Sequence, residues 1–254
     1  MRIVSWNVNG IRSAARQGLE TWWAGAGDDL LLMQEVRALP EQMDAAIRDP
    51  EAHEAHWHAA ERKGYSGVGA WSRRPIERVT AGLGIPEFDV EGRAQILELD
   101  GLRIYNLYVP NGGRDLERVP YKLNFYQALL DDLQPRLARG EALVVVGDFN
   151  TAHRPIDLAN PRANEGTTGF LPEERAWVDR FLAAGLRDVF RDTHPEEPGH
   201  YTWWSNRPGV RARNIGWRID YFLVSPAVLP RVRSATIRPD VTGSDHCPIA
   251  LDLD

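Results

Sequence analysis

Residues Ala142 to His153 read "ALVVVGDFNTAH". The segment begins with a valine run, the composition of a strand buried on both faces. It ends in Asp148 and Asn150, two positions apart, and residues two apart on an extended chain project to the same side. A buried strand thus delivers a carboxylate and a carboxamide together at its end. The pattern recurs along the chain. "VSWNVNG" places Asn7 and Asn9 before Gly10, and "LLLMQEV" closes on Gln34 and Glu35. "GWRIDYFLV" carries Asp220 inside an apolar strand, and "VTGSDHCPIAL" sets Asp245 and His246 before another.

Strands are predicted at Ile3–Val8, Asp29–Glu35, Val68–Ser72, Ala94–Leu99, Arg103–Val109, Leu143–Asp148, Arg218–Val224, Ala235–Arg238 and Pro248–Asp252, from their β-branched and aromatic content. Amphipathic helices are predicted at Ser13–Ala24, Pro40–Arg48, Tyr121–Leu133 and Pro172–Ala184. The last opens with a proline followed by Glu173 and Glu174, which suits the positive end of a helix. Many strands with helices in two groups predict an α/β fold of two packed sheets flanked by helices. No linker interrupts the pattern, so one domain over residues 1–254 is expected.

Composition narrows the function classes. With 43% apolar and 26% charged residues, the 254-residue chain can build a core and is not a disordered polymer. Apolar runs such as Leu30–Met33 and Leu143–Val146 are far too short to span a bilayer. Cys247 is the only cysteine, so no internal disulfide forms, and the chain passes from Met1 straight into a strand-like segment. A soluble cytoplasmic protein with no membrane partner is expected. The net charge of −6 weighs mildly against a nucleic-acid binder. Yet of 30 basic residues only Lys63 and Lys122 are lysines, and the arginine fork suits phosphate.

Each polar strand end alone has an ordinary explanation: "NVNG" as a turn, Glu35 as an edge charge, Asp245 and His246 as an exposed loop. Asp220 needs a partner if buried, either Arg218 or a nearby imidazole. Together they point further. If Glu35, Asp148 and Asp245 converge, each pair at ~4 Å repels by about 4 kcal/mol at an effective dielectric of ~20. A cation or shared protons must neutralise that. Oxygen ligands without a cysteine cluster favour Mg²⁺ or Mn²⁺ over zinc. Asn7 and Asn150 would add oxygens and N–H groups for metal, water or phosphate.

The ordered set "SWNVNGIR", "LLLMQEV", "GYSGVGAWSR", "YVPNGG", "VVVGDFNTAH", "GFLPEERAWVDRFL", "NIGWRIDYFLVS" and "GSDHCPIAL" closely resembles the exonuclease III type of apurinic/apyrimidinic endonuclease. It covers nearly the whole chain. The resemblance implies a four-layer α/β/β/α sandwich of two mixed sheets. It also implies a Mg²⁺-dependent phosphodiesterase, with Mn²⁺ as a substitute, that cuts DNA 5′ to abasic sites in base excision repair. Removal of 3′-blocking groups and 3′–5′ exonuclease action go with it. The implied partner is double-stranded DNA with abasic sites or blocked 3′ ends, bound by a monomer.

Carried over by position, the resemblance makes Glu35 the principal metal ligand, with Asn7 beside it and Asp148, Asn150, Asp245 and His246 around it. Asp148 becomes the general base, Asn150 orients water or phosphate, and His246 contacts the phosphate while Asp220 orients its ring. Tyr108 and Asn111 touch the scissile phosphate. Trp203, Trp217 and Ile219 form an apolar pocket for a base-free sugar, Arg114 and Arg207 enter the duplex grooves, and Arg73 and Tyr65 contact the backbone. Asn9 stands where some relatives carry Asp, which removes one candidate ligand for a second metal. Two alternatives remain: a phosphatase of the same fold acting on lipid or inositol phosphates, and a non-catalytic nucleic-acid binder.

Overall fold

The computed structural model describes residues 1–254. Its strands are β1 (Arg2–Asn7), β2 (Leu30–Gln34), β3 (Glu54–His58), β4 (Val68–Ser72), β5 (Arg78–Ala81), β6 (Ala94–Leu99), β7 (Leu102–Tyr108), β8 (Leu143–Asp148), β9 (Arg187–Asp188), β10 (Trp203–Trp204), β11 (Gly216–Trp217), β12 (Asp220–Val224), β13 (Val232–Ile237) and β14 (Ile249–Leu253). The helices are α1 (Ile11–Arg16), α2 (Leu19–Ala26), α3 (Ala45–Arg48), α4 (Pro86–Asp89), α5 (Val119–Ala138), α6 (Pro172–Ala183) and α7 (Val189–Thr193). Two mixed six-stranded sheets form, in the orders β13-β14-β1-β2-β4-β3 and β5-β6-β7-β8-β12-β9, with a separate β10-β11 ribbon.

Side-chain alternation along the strands sorts the layers. Ile3, Leu30 and Leu32 of the first sheet meet Leu102, Ile104, Val144, Val146, Phe222 and Val224 of the second in one core. The intervening residues face outward. Val4, Trp6, Leu31 and Met33 pack under α1 and α2, through Ile11, Ala14, Leu19 and Trp23. Val145, Tyr221 and Leu223 pack under α5 and α6, through Phe125, Leu129, Trp177 and Phe181. The result is the α/β/β/α sandwich.

The inward-facing rank changes character at one edge. Above the aliphatic residues it continues as Ser5 and Asn7 on β1, Gln34 on β2, Asn106 and Tyr108 on β7, and Asp148 on β8. The β12 strand runs antiparallel to β8, so its first residue, Asp220, lies opposite Asp148, which on its other side is in register with Tyr108. Beneath this edge the sheets are pinned by amides. Gln34 Nε2 donates to Asn106 Oδ1 at 2.7 Å and Ser5 Oγ at 3.0 Å, and Asn106 Nδ2 donates to the Gly69 carbonyl at 3.0 Å. All three residues are buried, and buried polar groups are tolerated when paired.

Several elements differ from expectation for local reasons. The Ser13–Ala24 helix is two helices, because Gly18 at φ +94° reverses the chain between α1 and α2. Pro40–Arg48 is a 3₁₀ turn at Pro40–Gln42 followed by α3. The α5 helix begins at Val119 and runs past Leu133 through Pro135 to Ala138, its buried face of Phe125, Tyr126, Leu129, Leu130 and Leu133 holding it to the second sheet. The β12 strand starts at Asp220 and not at Arg218, whose main-chain N–H donates to the Asp157 carbonyl at 2.7 Å. No helix is long and apolar enough to cross a membrane.

Candidate active site

Asn7 joins the two sheets at the polar edge. Its Nδ2 donates to Glu35 Oε2 at 3.0 Å and to Asp148 Oδ2 at 2.8 Å. Glu35 of the first sheet and Asp148 of the second therefore share one amide. The backbone bends sharply where the strands end: Asn9, Glu35 and Asn150 all have φ between 46° and 56°. That left-handed region is strained for residues other than glycine and here turns side chains back toward the cleft. Gly147 has φ +136°, and a Cβ there would lie 2.0 Å from the Leu107 carbonyl oxygen. Only glycine lets β8 approach β7 closely enough to set Asp148 beside Tyr108.

Asp148, His246 and Asp220 form a buried line. His246 Nδ1 lies 2.9 Å from Asp220 Oδ2, and His246 Nε2 lies 3.8 Å from Asp148 Oδ2. Arg218, the other partner open to Asp220, is consumed by Asp157 and Asp188, each at 2.7 Å. Asp220 Oδ1 has no hydrogen-bond partner, so His246 receives the one side-chain contact that carboxylate makes. Burial pulls the His246 pKa down, but Asp220 and Asp148 outweigh it and raise it to about 10. The ring is thus an imidazolium at neutral pH. Burial pushes Asp148 up, tempered by His246 and reinforced by Asp220, to about 7.

Neutral groups complete the floor. Asp148 Oδ1 accepts from the Asn150 N–H at 2.8 Å, Asn150 Nδ2 donates to the Val109 carbonyl at 2.9 Å, and Asn111 Nδ2 donates to Asn150 Oδ1 at 3.2 Å. Lys122 Nζ, wholly buried, donates to the Asn150 carbonyl at 2.6 Å and to Glu174 Oε1 at 2.8 Å. Glu174 in turn accepts from Thr168 Oγ1 at 2.8 Å and from the Gly169 N–H at 2.5 Å. Burial, and then Glu35, raise the Tyr108 pKa well above its ordinary value, so it presents a hydroxyl, with the Arg93 guanidinium 4.8 Å over its ring.

These groups open onto a cleft of about 460 Å³ whose lining includes Glu35, Tyr108, Asn111, Asp148, Asn150, Asp245 and His246. One wall is apolar: Trp203 meets Trp217 edge-on at 6.3 Å, Trp217 meets Phe170 at 6.4 Å, and Ile219 packs with them. Arg114 and Arg207 are exposed, Arg114 close behind Asn111 and Arg207 just past Trp204. Arg73 lies elsewhere. It follows β4 at Ser72, which pairs with Leu30, four residues and about 13 Å from the Gln34 end of β2. Its guanidinium stacks 4.5 Å over Trp23 and donates to the carbonyls of Trp23 and Asp28, outside the cleft. Tyr65 donates to Glu91 Oε2 at 3.3 Å and accepts from Arg93 at 2.8 Å, which places it behind Tyr108. Sequence alone missed Arg37, which lines the cleft and pairs with Glu35 Oε1, and the Lys122–Glu174 pair. A lysine within a helical pattern carries no mark of where its tip lies.

The donor set fits a hard divalent cation on the Glu35 side. Glu35 offers carboxylate oxygens whose charge is met here only by the Arg37 guanidinium, with Asn7 beside it turning Nδ2 to Glu35 and Oδ1 to the Asn9 N–H at 3.0 Å. Asp148, Asp220 and His246 also have ligand atoms within 4.8 Å of one another. There His246 Nδ1 is engaged by Asp220, which leaves Nε2 as the ring nitrogen that faces Asp148.

Known proteins share this fold. A model of the Endonuclease/Exonuclease/phosphatase family, which is divalent-metal dependent, matches residues 4–246. An exodeoxyribonuclease of Bacillus subtilis is 40% identical over 252 residues, covering 99% of this chain and 98% of its own. The DNA repair nuclease APEX1 of Danio rerio is 38% identical over 258 residues, covering 100% and 82%. An AP endonuclease structure from Archaeoglobus fulgidus superposes with a TM-score of 0.90 at 29% identity, covering 100% of this chain and 99% of that one. By sequence and by fold, the chain belongs to the endonuclease/exonuclease/phosphatase family.

Proposed function

We propose that the chain is a DNA-repair phosphodiesterase that hydrolyses the backbone 5′ to abasic sites and also clears blocked 3′ ends. The observation that carries this is the meeting of Glu35, Asn7 and Asp148 at one cleft, beside an imidazolium and against a small apolar wall. Residues from both sheets build it, so residues 1–254 act as one catalytic unit. A non-catalytic binder has no use for acids facing a polyanion. A 3′ phosphatase from Neisseria, bound to product DNA hairpin, shares the fold with a TM-score of 0.89, which supports end-cleaning as the companion activity.

Glu35 would be the principal holder of Mg²⁺, with Asn7 beside it and Mn²⁺ as a substitute. The bound ion would supply a Lewis acid that neutralises charge on a phosphoryl oxygen. The chain's own groups do the rest. Asp148, ionised, takes the proton of a water placed in line with phosphorus by Asn150 and its own Oδ2. His246, held charged by Asp220, donates to a non-bridging oxygen as negative charge grows there. Tyr108 and Asn111 donate to the same phosphate. As the water oxygen bonds to phosphorus the P–O3′ bond breaks, and the departing oxygen takes a proton from solvent to become the 3′-hydroxyl. Each donor contributes roughly a few kcal/mol, where about 1.4 kcal/mol is tenfold in rate. Trp203, Trp217 and Ile219 receive a sugar that carries no base and is therefore cheap to extrude. Arg114 and Arg207 reach the duplex on either side. The enzyme acts as a monomer in the cytoplasm.

The test is a labelled duplex bearing one abasic analogue, incubated with Mg²⁺, with Mn²⁺ and with EDTA, with product lengths resolved. Incision 5′ to the lesion, lost in EDTA, is expected. Hydrolysis of a phosphoinositide with no cut in the duplex would overturn the assignment in favour of the lipid-phosphate alternative.

A further inference from the structure

Asp245 stands at the cleft with both carboxylate oxygens already engaged. Oδ1 accepts from Asn9 Nδ2 at 2.7 Å, and Oδ2 accepts from the indole Nε1 of Trp203 at 3.1 Å. Its main chain is tied to the same neighbour: the Trp204 N–H donates to the Asp245 carbonyl at 3.0 Å, and Trp203 forms a β-bridge with His246. An indole N–H is a donor only, and a carboxylate acceptor makes that bond charge-assisted. Trp203 is partly buried, edge-on to Trp217 and packed at the Ile219 cluster, and the bond to Asp245 is the polar contact that fixes the direction of its Nε1. Asn9 matters for the same reason. Its amide donates to Asp245, whereas an aspartate there would repel it.

We infer that Asp245 is a positioning residue for specificity: through Trp203 Nε1 it fixes the indole as the wall that admits a base-free sugar and turns away an intact nucleotide. The substrate named here rests on the function proposed above; the clamp on the indole does not.

The experiment compares wild type, Trp203→Phe, Asp245→Ala, their combination and the conservative Asp245→Asn, which keeps one carbonyl acceptor. The Trp203 Nε1–H resonance, assigned by its loss in Trp203→Phe, is followed in the protein without DNA. Its hydrogen exchange should quicken about tenfold in Asp245→Ala and less in Asp245→Asn. The ratio of kcat/KM for abasic duplex to that for removal of a normal 3′ nucleotide should fall about tenfold in each single variant, mainly through KM. The combination should be no worse than the weaker single variant. An unmoved resonance, or losses that multiply to about a hundredfold, would each overturn the clamp. Wild-type protein that leaves abasic DNA uncut would refute the proposed function, while the resonance would still decide the clamp.

Discussion

Replacing Asp220 by Asn isolates the part played by one charge. The side chain keeps its size and an oxygen for His246 Nδ1, 2.9 Å away, but loses the charge that raises the imidazole pKa to about 10. A hydrogen bond involving a charged group is worth about 1.5–3 kcal/mol. At about 1.4 kcal/mol per tenfold, kcat on abasic duplex should fall roughly 10- to 150-fold while His246 is still protonated. The pH dependence changes too. In wild type His246 stays charged through pH 9, so the alkaline side of the profile is flat. In the variant its pKa drops toward the ordinary histidine range, so kcat/KM declines as pH rises through neutrality. On the acid side both enzymes gain activity as Asp148 ionises. Steady-state rates from pH 5.5 to 9, with the His246 ring nitrogens followed by NMR, test both parts. A variant whose profile overlays wild type, or whose His246 titration is unmoved, would refute the dyad.

Three further outcomes are expected. Gly147→Ala forces a Cβ to within 2.0 Å of the Leu107 carbonyl at φ +136°, so β8 must retreat from β7; thermal unfolding should show a loss of at least about 1–3 kcal/mol, with kcat reduced as Asp148 moves off Tyr108. Lys122→Met leaves Glu174 buried without its counter-charge and should cost about 3–5 kcal/mol, roughly 6–20 °C in Tm for a chain this size, by calorimetry. In EDTA, stability should decline from pH 5 to 9. The raised Asp148 pKa gives a contribution present below its unfolded value near 4 and lost through about 7, and that of His246 is present below 6.5 and lost through about 10. A Tm that rises over that range would contradict both.

Sequence revealed the strands best where their neighbours are aliphatic. Val68–Ser72, Ala94–Leu99 and Leu143–Asp148 match residue for residue, because a buried strand must be apolar whatever lies beyond it. The β3 strand, "EAHWH", escaped notice: as an edge strand it is only half covered and carries polar residues. At the site, the polar strand ends marked Asn7, Glu35, Asp148 and Asp220 because each breaks a hydrophobic alternation. Arg37, Lys122 and Glu174 break nothing local, and their partners are set by tertiary contact. Nor does anything local to Arg73 mark the carbonyls of Trp23 and Asp28 that its guanidinium reaches.

The rung of Ser5, Gln34 and Asn106 has a mechanical corollary. Laid directly under the reacting groups, it keeps the jaws of the sandwich from gaping to swallow a stiff double helix. Distortion must then fall on the nucleic acid, and stretches that kink or unstack at small energetic cost will be engaged ahead of rigid ones.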